Sequence, residues 1–174
     1  YDYLSKRVTV TRINNGVKFL NEHLDIFEAV EKDYGVSKFY IASIIGMETN
    51  YGSYYGSYNP LDAIFTRAFE PNNNFWQKEL IELFILSKRY NLDPKKIKSS
   101  WSGAIGLGQF IPSSYNAYGV DYDLNGFVDL LGSREDGIAS VANYLRENGW
   151  ISGKEAAIEI NFSGSFKNLD EDQI

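Results

Sequence analysis

Glu48 closes an apolar segment, Phe39 to Met47, that is interrupted by Ser43. A carboxyl in that setting has a definite chemistry. Apolar surroundings disfavour its charged form, and an anion at a helix C-terminus meets the negative end of the helix dipole, so its pKa is expected to rise. A carboxyl that stays protonated near neutral pH is what a general acid needs in order to protonate a glycosidic oxygen. The plainer reading is a glutamate fraying into solvent. The loop directly after Glu48 weighs against it. The run Asn50-Tyr51-Gly52-Ser53-Tyr54-Tyr55-Gly56-Ser57-Tyr58 is dense in ring faces and hydroxyls. Sugars bind through stacking and hydrogen bonds, and this loop, Tyr51 included, offers both. A low-complexity surface loop is the competing reading.

Two further segments carry chemistry. Gly103-Ala104-Ile105-Gly106-Leu107-Gly108-Gln109-Phe110 lacks the Gly-x-Gly-x-x-Gly order, follows no strand and precedes no Lys-Ser/Thr, so a nucleotide-phosphate loop is excluded. Its glycines instead permit close backbone approach and leave Gln109 free to hydrogen-bond. Asp121, Asp123 and Asn125 stand at positions 1, 3 and 5 of an EF-hand-like order, with Gly126 at 6 and the Phe127 carbonyl at 7. That pattern predicts a structural Ca²⁺ site. The usual twelfth position falls on Gly132, which has no carboxylate. A solvated Asn-Gly turn is the alternative.

Composition removes other chemistries. The 174 residues contain no cysteine and one histidine, His23, so thiolate catalysis and Cys-containing metal sites are absent and a Ser-His-Asp triad would have to use His23. His23 lies beside Asn21 and Glu22 and reads as a surface or boundary residue. A net charge of −6 argues against nucleic acid as a partner. No apolar run approaches the ~20 residues of a membrane span, and no signal peptide is visible at Tyr1, so any export segment is absent from this sequence.

The elements that must position these groups read as helices. Leu20, Leu24, Phe27, Val30 and Tyr34 mark one helix over 17–34 with Gly35 as its stop. Ser37 caps a second, Lys38 to about Glu48, apolar nearly all round and so expected to be buried. Asn59-Pro60 opens a third, to about Phe69, and Trp76, Leu80, Leu83 and Phe84 mark a fourth, to about Tyr90. Asp93-Pro94 starts a short turn, and Pro112 to Tyr118 forms a short helix. Ser133 and Asp136 resemble a capping box for a last helix ending at Gly149. Only Val8 to Thr11 alternates like a strand. The class is all-α, with no repeat or linker, and residues 1–174 read as a single domain.

Four ordered blocks make the chain recognisable. Ile44-Ile45-Gly46-Met47-Glu48-Thr49-Asn50-Tyr51-Gly52, Leu61-Asp62-Ala63, Ser102 to Tyr115, and Val141-Ala142-Asn143-Tyr144 followed by Gly149-Trp150 resemble the B-type lytic murein transglycosylases, glycoside hydrolase family 103. The likeness runs from about Asn15 to Gly153. It implies a lysozyme-like catalytic domain that cleaves the β-1,4 bond between N-acetylmuramic acid and N-acetylglucosamine in peptidoglycan, leaving 1,6-anhydromuramoyl ends, in the periplasm or cell envelope. Glu48 would be the lone acid/base, with no cofactor required. Ser100, Gln109, Phe110 and Tyr144 fall where the family lines its sugar subsites. Phe75 falls at a family tyrosine, and Pro71 and Asn72 fall near a family arginine pair. The resemblance also closes the calcium loop from the next helix with Asp136, Glu135 being its neighbouring alternative. Family members continue past Ile174 with an aromatic-rich segment that closes one cleft wall, so the chain is either a fragment or a short member. A muramidase of the lysozyme type and a non-catalytic peptidoglycan-binding module are the other readings.

Overall fold

The computed structural model describes residues 2–155; Tyr1 and residues 156–174, which the single-domain reading takes in, lie outside them. The described residues form eight helices: α1 (Asp2–Arg7), α2 (Val10–Glu22), α3 (Leu24–Tyr34), α4 (Lys38–Thr49), α5 (Pro60–Ala68), α6 (Asn74–Tyr90), α7 (Pro112–Tyr118) and α8 (Arg134–Glu147). Extended pairing among the described residues is limited to isolated bridges at Tyr58–Ser99 and Ile105–Phe110. The chain is all-α, as its periodicity indicates.

Local chemistry sets most helix ends. Asn59 Oδ1 accepts hydrogen bonds from the Leu61 and Asp62 amides (2.9 and 3.2 Å), and Pro60 occupies the first turn of α5, where its missing N–H costs nothing. Ser133 Oγ accepts from the Asp136 amide at 3.1 Å, which is half of a capping box. The Asp136 carboxyl turns to other partners. α3 stops at Gly35 in the left-handed conformation (φ 68°).

Four sequence expectations are corrected. The helix expected over 17–34 breaks at His23 (φ −126°, ψ 28°), whose ring meets Phe19 edge-on at 4.8 Å. Val8 to Thr11 is not a strand: Thr9 caps α2, its Oγ1 accepting from the Arg12 amide at 3.2 Å. An isolated extended segment has no partner for its backbone groups, whereas a cap satisfies one. Ser37 makes no side-chain cap, and the Lys38 amide donates instead to Glu31 Oε1 at 3.0 Å. Finally, α4 is not buried all round.

α4 buries Ile41, Ala42, Ile45, Gly46 and Thr49 but leaves Phe39, Tyr40 and Met47 exposed. The fully enclosed segment is the middle of α8, where Asp136 through Ala142 are consecutively buried. α3 and α4 both pack on α8, while α5, α6 and α7 pack in sequence beside it. Phe27, Val30, Ile41, Ile45, Leu107 and Ile138 knit these helices into one core. The open face of α4 is left bordering a groove.

Candidate active site

Glu48 sits in the last turn of α4, held by its buried neighbour Thr49. The Thr49 hydroxyl lies 3.1 Å from the Ile45 carbonyl and 3.0 Å from the Leu107 carbonyl, and it accepts from the Gly52 amide at 3.0 Å. One side chain thus ties the end of α4 to the glycine-rich loop and to the turn after the helix. That loop is itself rigid. Ile105 and Phe110 exchange both backbone hydrogen bonds (2.8 and 2.9 Å), and the Leu107 amide donates to the Leu130 carbonyl at 2.8 Å.

Gln109 occupies the turn with φ 52°, a left-handed conformation uncommon for a residue with a Cβ. Its amide N–H and side-chain Nε2 both donate to the Gly106 carbonyl (each 3.1 Å), which keeps the side chain in place. Gln109 and Phe110 then face Glu48 across a cavity of about 320 Å³, closed by Ile44, Val141 and Tyr144. The Tyr144 ring stands edge-on to Phe110 (6.0 Å) and Tyr118 (5.0 Å). A second cavity of about 490 Å³ shares Glu48 and Gln109 with the first and adds Tyr54, Tyr58, Ser100 and Trp101.

Glu48 therefore stands where two chambers of one cleft meet. Its side chain is exposed to the cleft, not sealed in the core, yet the walls remove enough water that burial pushes its carboxyl above the usual carboxylate range. Among the described residues, neither chamber is lined by another carboxylate. Arg7 and Arg12 line the second chamber, and Arg12 Nη1 lies 3.7 Å from Met47 Sδ.

The sequence candidates divide on this geometry. Gln109, Phe110 and Tyr144 line the first chamber and Ser100 the second. The Ser100 hydroxyl is committed to its own turn, accepting from the Ser102 and Ala104 amides (3.2 and 3.1 Å). Tyr51 lines neither chamber. Its ring fills the crevice between α2 and α4, 5.6 Å from Phe19, at the spot where a Cβ on Gly16 or Gly46 would collide with it. Tyr51 is a packing wedge, and the sugar-binding expectation for it is dropped. Phe75 also lines neither chamber; it is exposed beside Trp76 (5.0 Å). Pro71 and Asn72 lie in the turn between α5 and α6, with Asn72 at φ 61°.

At the other end of α8, Asp121, Asp123 and Asp136 bring carboxylate oxygens within 4.8 Å of one another. Asp121 accepts from the Asn125 and Gly126 amides (3.0 and 2.8 Å), and Asn125 Oδ1 accepts from the Phe127 amide at 2.9 Å. Gly126, at φ 93°, makes the sharp turn. Asp136 is fully buried and accepts from the Tyr122, Asp123 and Asp129 amides (2.8, 3.4 and 2.7 Å). Burial pushes its carboxyl up, while those three hydrogen bonds pull it down. Glu135 stands outside this group, its Oε2 accepting from Ser133 Oγ at 3.3 Å. Clustered hard oxygen donors, with the Phe127 carbonyl two residues on from Asn125, fit a calcium ion.

Sequence reasoning marked the 50–58 loop, which supplies Tyr54 and Tyr58, but missed Arg7, Arg12 and Trp101 as parts of the cleft. For Trp101 there was a signal, an aromatic set directly after Ser100 in a Ser/Gly-rich stretch. Arg12 carried none, because its approach to Met47 depends on how α2 meets α4.

Known proteins share this architecture. The family described as Transglycosylase SLT domain matches residues 1–173. Membrane-bound lytic murein transglycosylase B of Escherichia coli (strain K12) is 37% identical over 161 residues, covering 91% of this chain and 44% of that protein. The soluble lytic transglycosylase SltB1 from Pseudomonas aeruginosa superposes with a TM-score of 0.85 at 40% identity, over 88% of this chain and 52% of that one. Escherichia coli Slt35, solved in complex with calcium, gives a TM-score of 0.85 at 36% identity, over 88% and 50%. Pseudomonas aeruginosa SltB3, solved in complex with NAG-anhNAM-pentapeptide, gives 0.84 at 35% identity, over 88% and 41%. The chain thus spans about half the length of these solved relatives or less. With the family model matching residues 1–173 and most of the helical frame superposing on these solved relatives, the chain belongs to the transglycosylase SLT domain family.

Proposed function

We propose that this chain carries the catalytic domain of a lytic transglycosylase acting on peptidoglycan glycan strands in the periplasm or cell envelope. The observation that carries the reading is Glu48, a carboxyl with a raised pKa that is the one acid lining the two joined chambers among the described residues. A standard glycosidase uses a pair of carboxylates, roughly 5–9.5 Å apart, to supply both an acid and a nucleophile or base. A single acid suffices when the substrate brings its own nucleophile. Protonated Glu48 gives its proton to the oxygen between N-acetylmuramic acid and N-acetylglucosamine, and the bond from that oxygen to the muramoyl C1 breaks. The resulting carboxylate then takes the proton of the C6 hydroxyl as O6 closes on C1, forming the 1,6-anhydro ring. Glu48 ends as it began, and neither water nor cofactor is consumed. Tyr144, Phe110 and Gln109 line the chamber as apolar face and polar grip, and Ser100 lines the one beside it. The SltB3 complex with a muropeptide supports a glycan partner, and no described helix is long and apolar enough to cross a membrane. Incubation with purified cell wall tests the reading. Soluble muropeptides should accumulate with the native chain, and binding without release would leave only a wall-binding module.

Gln109→Ala and Tyr144→Phe are expected to lower kcat/KM by about tenfold each, the size of one lost hydrogen bond of roughly 1.4 kcal/mol in the transition state. The melting temperature should hold within a few degrees. A fully active and stable variant would remove that residue from the site.

We further propose that Asp121, Asp123, Asn125, the Phe127 carbonyl and Asp136 hold a structural calcium ion. The ion would offset the repulsion of three close carboxylates and cross-link the 121–127 loop to α8. Calorimetry should show heat of binding, and calcium at ~100 times its dissociation constant should add about 2.7 kcal/mol of stability. No heat and no calcium-dependent melting shift at millimolar calcium would reduce the loop to a structural turn.

A further inference from the structure

We propose that the cleft continues past Trp101 into a third chamber that binds an additional pyranose unit of the glycan strand, with the Trp101 indole as its stacking platform. The proposal rests on the glycan reading above and adds a subsite to it.

The chamber, about 480 Å³, is lined by Tyr58, Asp62, Ala63, Thr66, Arg67 and Trp101, and it shares Tyr58 and Trp101 with the second chamber at Glu48. Three chambers therefore follow one another, which suits a linear polymer better than a compact ligand. Trp101 is 63% exposed and Tyr58 55% exposed, a large ring area left in water on the cleft wall. The Trp101 ring and the Tyr58 backbone are both anchored. The Arg67 guanidinium carbon lies 4.5 Å from the Trp101 ring centroid and 5.2 Å from that of Trp76, and Arg67 Nη1 donates to the Ala63 carbonyl at 2.9 Å. A planar cation between two indoles holds Trp101 upright and leaves the remainder of its surface for a ligand. Tyr58 is fixed by two backbone hydrogen bonds with Ser99 (3.2 and 2.8 Å). Gly56 permits that approach, since a Cβ there would strike the Ser99 carbonyl. A ring platform that is rigid before binding loses little freedom on taking a sugar.

The polar wall selects the ligand class. Asp62 can only accept hydrogen bonds and Arg67 can only donate them, while Thr66 and Tyr58 carry hydroxyls. Neither Asp62 nor Arg67 joins an ion pair among the described residues. A carboxylate entering the chamber would meet Asp62, and a cation would meet Arg67. A neutral sugar satisfies both, donating to one and accepting from the other while its apolar face lies on the indole.

The test uses N-acetylglucosamine oligomers and the cleavage-deficient Glu48→Gln protein, with affinities from calorimetry. The hexamer should bind about tenfold tighter than the tetramer. In Trp101→Ala, a change at an exposed position, that ratio should collapse towards one. Arg67→Leu, which removes the stacked plane but not the platform, should shrink the same ratio; a melting shift with the ratio intact would make Arg67 merely structural and overturn its positioning role. An unchanged ratio in Trp101→Ala overturns the third subsite while leaving the glycan reading in place. Failure of every oligomer to bind the parent overturns both.

Discussion

Replacing Glu48 with glutamine is expected to cut glycan cleavage by at least about 10³-fold, since one group is both acid and base and each role is worth roughly 10²–10⁴. The substitution is nearly isosteric, so fold and wall binding should persist. The raised pKa adds a second, independent expectation for stability. A carboxyl whose folded pKa lies above its unfolded value of about 4.3 contributes stability that is complete below that value and is lost as pH rises through the folded pKa. Once pH rises through the folded pKa the parent carries a destabilising charge and the glutamine variant does not. The variant should therefore melt at the same or a higher temperature at neutral pH, and the difference should vanish below about pH 4. The same shift places the alkaline limb of the pH–rate profile above the ordinary carboxylate range, with activity falling as Glu48 loses its proton. A folded variant that still releases anhydro-muropeptides at a rate near the parent's would refute the acid/base assignment.

The second large effect concerns stability. Asp136→Ala is expected to lower the melting temperature by on the order of 10 °C, because removing a buried acceptor that strands its donors costs about 1–3 kcal/mol for each. The carboxyl is fully buried, and the Tyr122 and Asp129 amides bond it at 2.8 and 2.7 Å. Asp123→Ala should cost far less in chelator, since Asp123 is exposed and, among the described residues, its oxygens accept only from the Asn125 amide and Ser133 Oγ. Both variants should lose any melting shift on adding calcium. Equal losses of stability in chelator would show that Asp136 has no special role in joining the 121–129 segment to α8.

Much of this frame was legible in the chain. Asn59-Pro60, Gly35 and Ser133 mark helix ends through their own backbone chemistry, and the structure places all three where those signals point. The break at His23 was not legible, because Leu20, Leu24, Phe27 and Val30 keep a helical period straight across it and no proline or glycine marks the stop. Tyr51 shows the limit for site residues. A tyrosine in an aromatic loop beside the proposed catalytic acid looks like a sugar contact, but Gly46 on α4 and Gly16, distant in sequence on α2, leave room for its ring between the helices. The calcium loop lies between these cases. The first four ligands proposed for it follow from spacing, whereas the choice of Asp136 over Glu135 depends on which face of α8 turns inward.

The central claim is that Glu48 works alone and that the muramoyl C6 hydroxyl, not water, attacks C1. The most direct measurement is mass spectrometry of muropeptides released from purified cell wall in ¹⁸O-labelled water. Cleavage as proposed yields 1,6-anhydromuramoyl ends, lighter by one water than reducing ends and free of ¹⁸O. Reducing muramoyl ends carrying ¹⁸O at C1 would contradict it and make the protein a hydrolase.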